Sequence, residues 1–114
     1  MKLQVPSARF VGEQDGDAER ELKSKFLGVF AEERTILRAY LARVTYGDTQ
    51  SHVALCLRTA GVRDPRTILA YISKKFAKLF KEDQSLDIIF LSERMEAELR
   101  QVCAAFYASV ERGQ

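Results

Sequence analysis

The feature that most constrains this chain is the way its hydrophobic period switches along the sequence. Leu22, Phe26, Val29 and Phe30 recur at i, i+4, i+7 and i+8. That is one apolar stripe of a helix, and it predicts a helix over 17–33. From Thr35 to Tyr46 the chain is rich in β-branched and aromatic residues with weak alternation, as in a strand. Gly47-Asp48 supplies turn chemistry. A second strand follows, with Val53, Leu55 and Leu57 on one side and His52, Ala54, Cys56 and Arg58 on the other. The pair reads as an antiparallel hairpin. Helical spacing then returns in Ile68, Leu69, Ile72, Phe76, Leu79 and Phe80, which form a continuous apolar face to about Lys81.

Punctuation between these stretches completes the order. Arg9-Phe10-Val11-Gly12 is a short strand, and Pro6 keeps anything before it off a central position. Asp15-Gly16-Asp17 is a turn in which Asp17 is the expected cap of the first helix. Gly61 ends the hairpin, and Asp64-Pro65 starts the next helix. There the carboxylate accepts an orphan N–H, and proline gives up a donor that had no partner. Leu86 to Leu91 is nearly continuously apolar, which predicts a strand buried on both faces. Ser92 then caps a last helix whose stripe is Met95, Leu99, Val102, Cys103 and Phe106. The order is β-α-β-β-α-β-α. Its first six elements match the split βαβ, ferredoxin-like pattern. The expected fold is an α+β sandwich: a four-stranded sheet with two helices on one face and the C-terminal helix free to cover part of the other. No repeat, low-complexity stretch or linker divides it, so 1–114 reads as a single domain.

Composition narrows the function classes. With 46% hydrophobic and 30% charged residues the balance is globular, and 114 residues suffice for a core without staples. No apolar run approaches the ~18 residues of a membrane span. The first residues lack the apolar core of a signal peptide. Cys56 and Cys103 lie 47 positions apart with no CxxC. They read as reduced, small apolar residues, with a surface disulfide the competing expectation, and on the first reading a cytoplasmic location follows. The formal net charge of +2 is too small to imply nucleic acid. Basic residues gather between Arg63 and Lys81 and acidic ones between Glu82 and Glu98, which suits two solvated helix faces of opposite sign.

Tests for chemistry fail one after another. The single histidine, His52, lies four positions before Cys56. Along a strand that is about 13 Å, too far for a nucleophile–base pair. One histidine and two distant cysteines cannot make the usual zinc sites. The six glycines are dispersed, with no phosphate-binding loop among them. The RNA-recognition fold shares the β-α-β-β-α-β order, but the strand that should present aromatic rings reads Ser-His-Val-Ala-Leu-Cys-Leu-Arg. Lys74 to Lys81 interleaves lysines with Phe76 and Phe80, which belong to the core stripe. No catalytic set, metal site, cofactor or nucleic-acid surface is expected.

What remains is a surface. If Leu55 and Leu57 face the first two helices, then His52 and Arg58 stand on the other side of the sheet. Tyr40 and Tyr46 join them there, with Ala42 and Val44 between. Tyr and Arg are favoured interface anchors. Tyr40, Tyr46, His52 and Arg58 are therefore the candidate interaction face, for a protein partner or a homodimer. The competing expectation is that the last helix covers it.

Several short stretches resemble a known family. Gly12-Glu13, Arg38-Ala39-Tyr40-Leu41-Ala42, Asp87-Ile88-Ile89-Phe90-Leu91 and the late Phe106-Tyr107 pair are similar to the C-terminal domain of the SseB (enhanced serine sensitivity) family, over about 5–108. The resemblance implies a bacterial cytoplasmic protein of poorly defined role, with no established enzyme activity and no catalytic residues to carry over. The function expected is a non-catalytic interaction or self-association module. The alternative, prompted by the family name, is a small-molecule-binding regulatory domain linked to amino-acid metabolism.

Overall fold

The computed structural model describes residues 2–3, 9–33, 35–46, 51–60, 64–79 and 87–109. Its strands are β1 (Lys2–Leu3), β2 (Arg9–Glu13), β3 (Ile36–Thr45), β4 (His52–Thr59), β5 (Asp87–Phe90) and β6 (Tyr107–Ala108). Its helices are α1 (Asp17–Glu32), α2 (Pro65–Leu79) and α3 (Glu93–Leu99). The strands form one mixed sheet in the order β1-β5-β4-β3-β2. β4 and β5 run parallel, as do β5 and β1, while β3 is antiparallel to β4, β2 and β6.

The chain is thus an α+β sandwich with the expected element order, to which the short β1 and β6 are added. In detail the strand order is sequential. β4 and β5 are direct neighbours joined through α2, whereas a split βαβ would place the first strand beside the third. The side chains account for this. β2 alternates between exposed and half-buried residues, which suits an outer position. β5 buries Ile88 on one face and Ile89 on the other, which suits an inner one.

The alternation in β3 and β4 divides the core in two. Ala39, Leu41, Leu55 and Leu57 point to the first face, where α1 presents Phe26, Val29 and Phe30 and α2 presents Ile68 and Ile72. Phe26 and Phe30 stack with ring centroids 5.2 Å apart. Each fully buried side chain of this size stabilises the fold by roughly 1.5–3 kcal/mol. The side chains of Phe76, Leu79 and Phe80, assigned by spacing to the same stripe, lie outside the described residues. So do the turn at Gly47-Asp48, Gly61 and, from the basic and acidic blocks, Arg63, Lys81, Glu82, Asp83 and the side chain of Lys78. The second face carries Tyr40, Ala42, Val44, Ala54, Cys56 and Ile89, and α3 lies on it through Leu99, with Cys103 just beyond.

Helix ends follow local chemistry with one exception. Asp64 Oδ1 accepts the Arg66 N–H at 2.8 Å, and Ser92 Oγ accepts the Met95 N–H at 3.1 Å. At α1 the cap residue is Gly16, not Asp17, and no side chain caps it. Asp17 instead stands in the first turn, where its charge suits the helix dipole. A larger correction concerns the last helix. It stops at Leu99, leaving Val102 43% exposed. Phe106 leaves the expected stripe altogether. Its N–H donates to the Ala39 carbonyl at 2.9 Å, and its ring packs against Phe30 on the first face. The free backbone of β3 beside β2, together with the apolar pocket around Phe30, draws the chain across the sheet edge and ends the helix.

Candidate functional site

Tyr40, Tyr46, His52 and Arg58 all lie on the second face, because they share one parity along β3 and β4. The structure separates them into two clusters at opposite ends. Arg38 and Arg58 are register partners across the hairpin, and Tyr40 is two residues further along β3. Over them α3 lowers Glu96, which is 5% exposed. The Glu96 carboxylate accepts from Arg38 Nε, from Arg38 Nη2 at 2.9 Å and from the Tyr40 hydroxyl at 2.6 Å. Arg58 Nε stands 3.6 Å from Glu96 Oε1, and its Nη1 donates to the Leu91 carbonyl at 3.4 Å.

The electrostatics follow from this geometry. The Arg38 hydrogen bonds hold the Glu96 carboxyl below its ordinary range, against the opposing effect of burial. Arg38 is in turn held more firmly protonated, chiefly by its bond to Glu96. Burial first, and the bond to Glu96 second, push the Tyr40 hydroxyl up to about 12. Tyr40 is fully buried beneath α3. It is a core residue with a polar tip and contributes no surface to an interaction face.

At the other end, Tyr46 and His52 are half-buried with ring centroids 5.0 Å apart. The Tyr46 hydroxyl donates to Asp87 Oδ2 at 2.8 Å, and burial with this bond raises its pKa. Cys56 and Cys103 are free and buried on this same face. Burial pushes the Cys56 thiol well above its ordinary value and the Cys103 thiol up to about 11. Such thiols are poor nucleophiles. Among the described residues no group of three or more His, Cys, Asp or Glu side chains could hold a metal ion. No helix among them is long and apolar enough to cross a membrane.

Three members of these clusters escape a reading by spacing: Arg38, Asp87 and Glu96. Glu96 had a visible signal. It precedes Leu99 by three positions and Cys103 by seven, so a carboxylate sits on an apolar stripe. Arg38 shares the parity of Tyr40 and was open to the same argument.

The model of a family described as SseB protein C-terminal domain matches residues 17–109. No curated protein and no solved structure matches the chain. Within the matched span, Arg38 and Tyr40 are the residues that grip Glu96, and Phe106 and Tyr107 are those that pack on Phe30.

Proposed function

This chain belongs to the family of SseB C-terminal domains, and on that premise we propose that it is a non-catalytic protein-interaction or self-association module of a bacterial cytoplasmic protein. The observation that carries the reading is the Arg38–Arg58 pair. Both side chains stay about one-third accessible, at 34% and 27%, while strand register fixes their spacing. Rigid, part-open arginines are favoured anchors for a partner. The half-open Tyr46–His52 ring pair extends the same face. Two unreactive thiols and a histidine engaged with a tyrosine ring support a non-catalytic role. Light scattering coupled to size exclusion tests self-association, and cross-linking followed by mass spectrometry tests docking at this face. A strict monomer across micromolar concentrations, with no cross-link to Arg38, Tyr46, His52, Arg58 or their neighbours, would sink the reading.

The same arginine pair favours one alternative: a regulatory domain that binds a small anionic molecule linked to amino-acid metabolism. A thermal-shift screen separates the two, because a ligand at 100 times its dissociation constant adds about 2.7 kcal/mol of stability.

A further inference from the structure

We propose that residues 92–105, which carry α3, form a strap that opens from the second face as a unit while both of its ends stay anchored, with the Glu96 carboxylate as its clasp. The inference concerns what the strap covers, and it stands whether or not the half-open surface beside it is an interaction face.

The two anchors lie just outside the strap. Before it, the Leu91 N–H donates to the Leu57 carbonyl at 2.8 Å, and Leu91 itself is buried. After it, the Phe106 N–H donates to the Ala39 carbonyl at 2.9 Å, and Phe106 and Tyr107 pack on Phe30. Between these points the backbone bonds to itself. The Arg100, Gln101, Val102 and Cys103 N–H groups donate to the carbonyls of Glu96, Glu98 and Leu99. Among the described residues, every hydrogen bond from the strap to the sheet has a side chain on at least one end: Glu96 to Arg38 and Tyr40, Cys103 to the Leu41 carbonyl, and the Ala104 N–H to Glu13. Opening breaks no strand ladder.

Little apolar area holds the strap down. Of its fourteen residues ten are exposed, and only Glu96, Leu99 and Cys103 are buried. An open groove lined by Phe90, Ser92, Arg94, Met95 and Glu98 lets water reach one flank of α3. On the first face, α1 alone buries Phe26, Val29 and Phe30. A segment with few buried apolar groups opens at a free energy below that of global unfolding. Bonds to an ionised acceptor are the strong ones, so those from Arg38 and Tyr40 to Glu96 set how often the strap lifts. Beneath it lies Cys56, fully buried between its register partners Tyr40 and Ile89. The closed strap denies this thiol to reagents, and the open one uncovers it.

The test labels the full, reduced chain with dithiodipyridine at neutral pH and assigns the modified thiol by mass spectrometry. Cys56 should react well below the urea unfolding transition. Its rate should rise with urea at under about half the slope of global unfolding, because that slope scales with the surface uncovered. A slope equal to that of global unfolding, or labelling that begins only within the transition, overturns the proposal. Glu96→Gln should speed Cys56 labelling by about tenfold or more, the size of one charge-assisted bond. An unchanged rate removes Glu96 as the clasp and overturns the proposal. Val29→Ala, on the other face, lowers global stability but should leave the Cys56 rate within about threefold of wild type. A rate raised as much as by Glu96→Gln shows labelling through global unfolding, and also overturns it. Should a variant not fold, the wild-type urea slope still decides.

Discussion

On the first face of the sheet, α1 and α2 bury Phe26, Phe30, Ile68 and Ile72 against Leu41, Leu55 and Leu57, and the buried Glu33 carboxylate at the end of α1 accepts from Thr35, two residues on, so these bonds stay local. On the second face, α3 has only seven residues, and it buries a carboxylate together with Leu99. The first face is held by area removed from water, a force without direction that tolerates small shifts of the helices. The second is held by hydrogen bonds to charge, which fix where α3 sits but return little net stability, because the ions must first give up water. A short helix with little apolar area needs such a fixture. The arrangement also leaves a net charge in the fixture itself, since two arginines against one glutamate leave a cation over.

Phe30→Ala should give the largest effect. It removes a fully buried ring that contacts Phe26, Phe106 and Tyr107, and urea unfolding should show a loss of about 3–5 kcal/mol. A loss under about 1 kcal/mol would mean that the first face is not the principal core.

Glu96→Ala comes next. It strands two guanidiniums and the Tyr40 hydroxyl, and should cost about 2–3 kcal/mol, less than the 3–5 of a fully buried pair because both arginines keep some water. The pH dependence sharpens the contrast between the faces. Glu96 has a folded pKa below its ordinary value of 4.5. Its stabilisation is therefore complete above that value and is lost as pH falls through the depressed folded one. Glu96→Gln should flatten the acid limb of stability against pH, whereas Phe30→Ala should leave its shape intact. Matching acid limbs in wild type and Glu96→Gln would contradict the ion cluster.

Tyr40→Phe should cost about 1.5 kcal/mol at neutral pH, for one hydrogen bond to a charged acceptor. Its alkaline signature runs the other way. The folded hydroxyl titrates near 12 against an ordinary 10.0, so the contribution is complete below pH 10 and is lost as pH rises through about 12. The variant should lose that alkaline slope in chemical denaturation. Ser92→Ala should have the smallest effect, about 1 kcal/mol for the cap of α3. Hydrogen exchange should show faster opening at the Met95 amide, which Ser92 protects, and unchanged rates in α1.

Much of the fold was legible because its determinants are local. The stripe of Leu22, Phe26, Val29 and Phe30 needs no partner to be recognised as helical. The parity that put Tyr40, Tyr46, His52 and Arg58 on one face is a property of each strand alone. Where the reading failed, a distant contact had overruled a local pattern. The stripe from Met95 to Phe106 is helical by spacing, yet Phe106 gains more by reaching Phe30, and the helix ends early. The hydrogen bonds from Arg38 to Glu96 join residues 58 positions apart, and no period along the chain encodes such a pair.

By itself the sequence determined that α1, α2 and the start of α3 are helical and that β2 to β5 are strands, which side of each hairpin strand is apolar, and that its lone histidine lies too far along its strand to activate Cys56. These follow from repeat spacing and from reach along an extended chain. Only the tertiary structure decided that β4 and β5 lie side by side, that Tyr40 is sealed beneath α3, and that two arginines share one carboxylate with a donor left unpaired. Those outcomes depend on how separate elements compete for the same sheet edge and the same charge, and that competition exists only once the chain has folded.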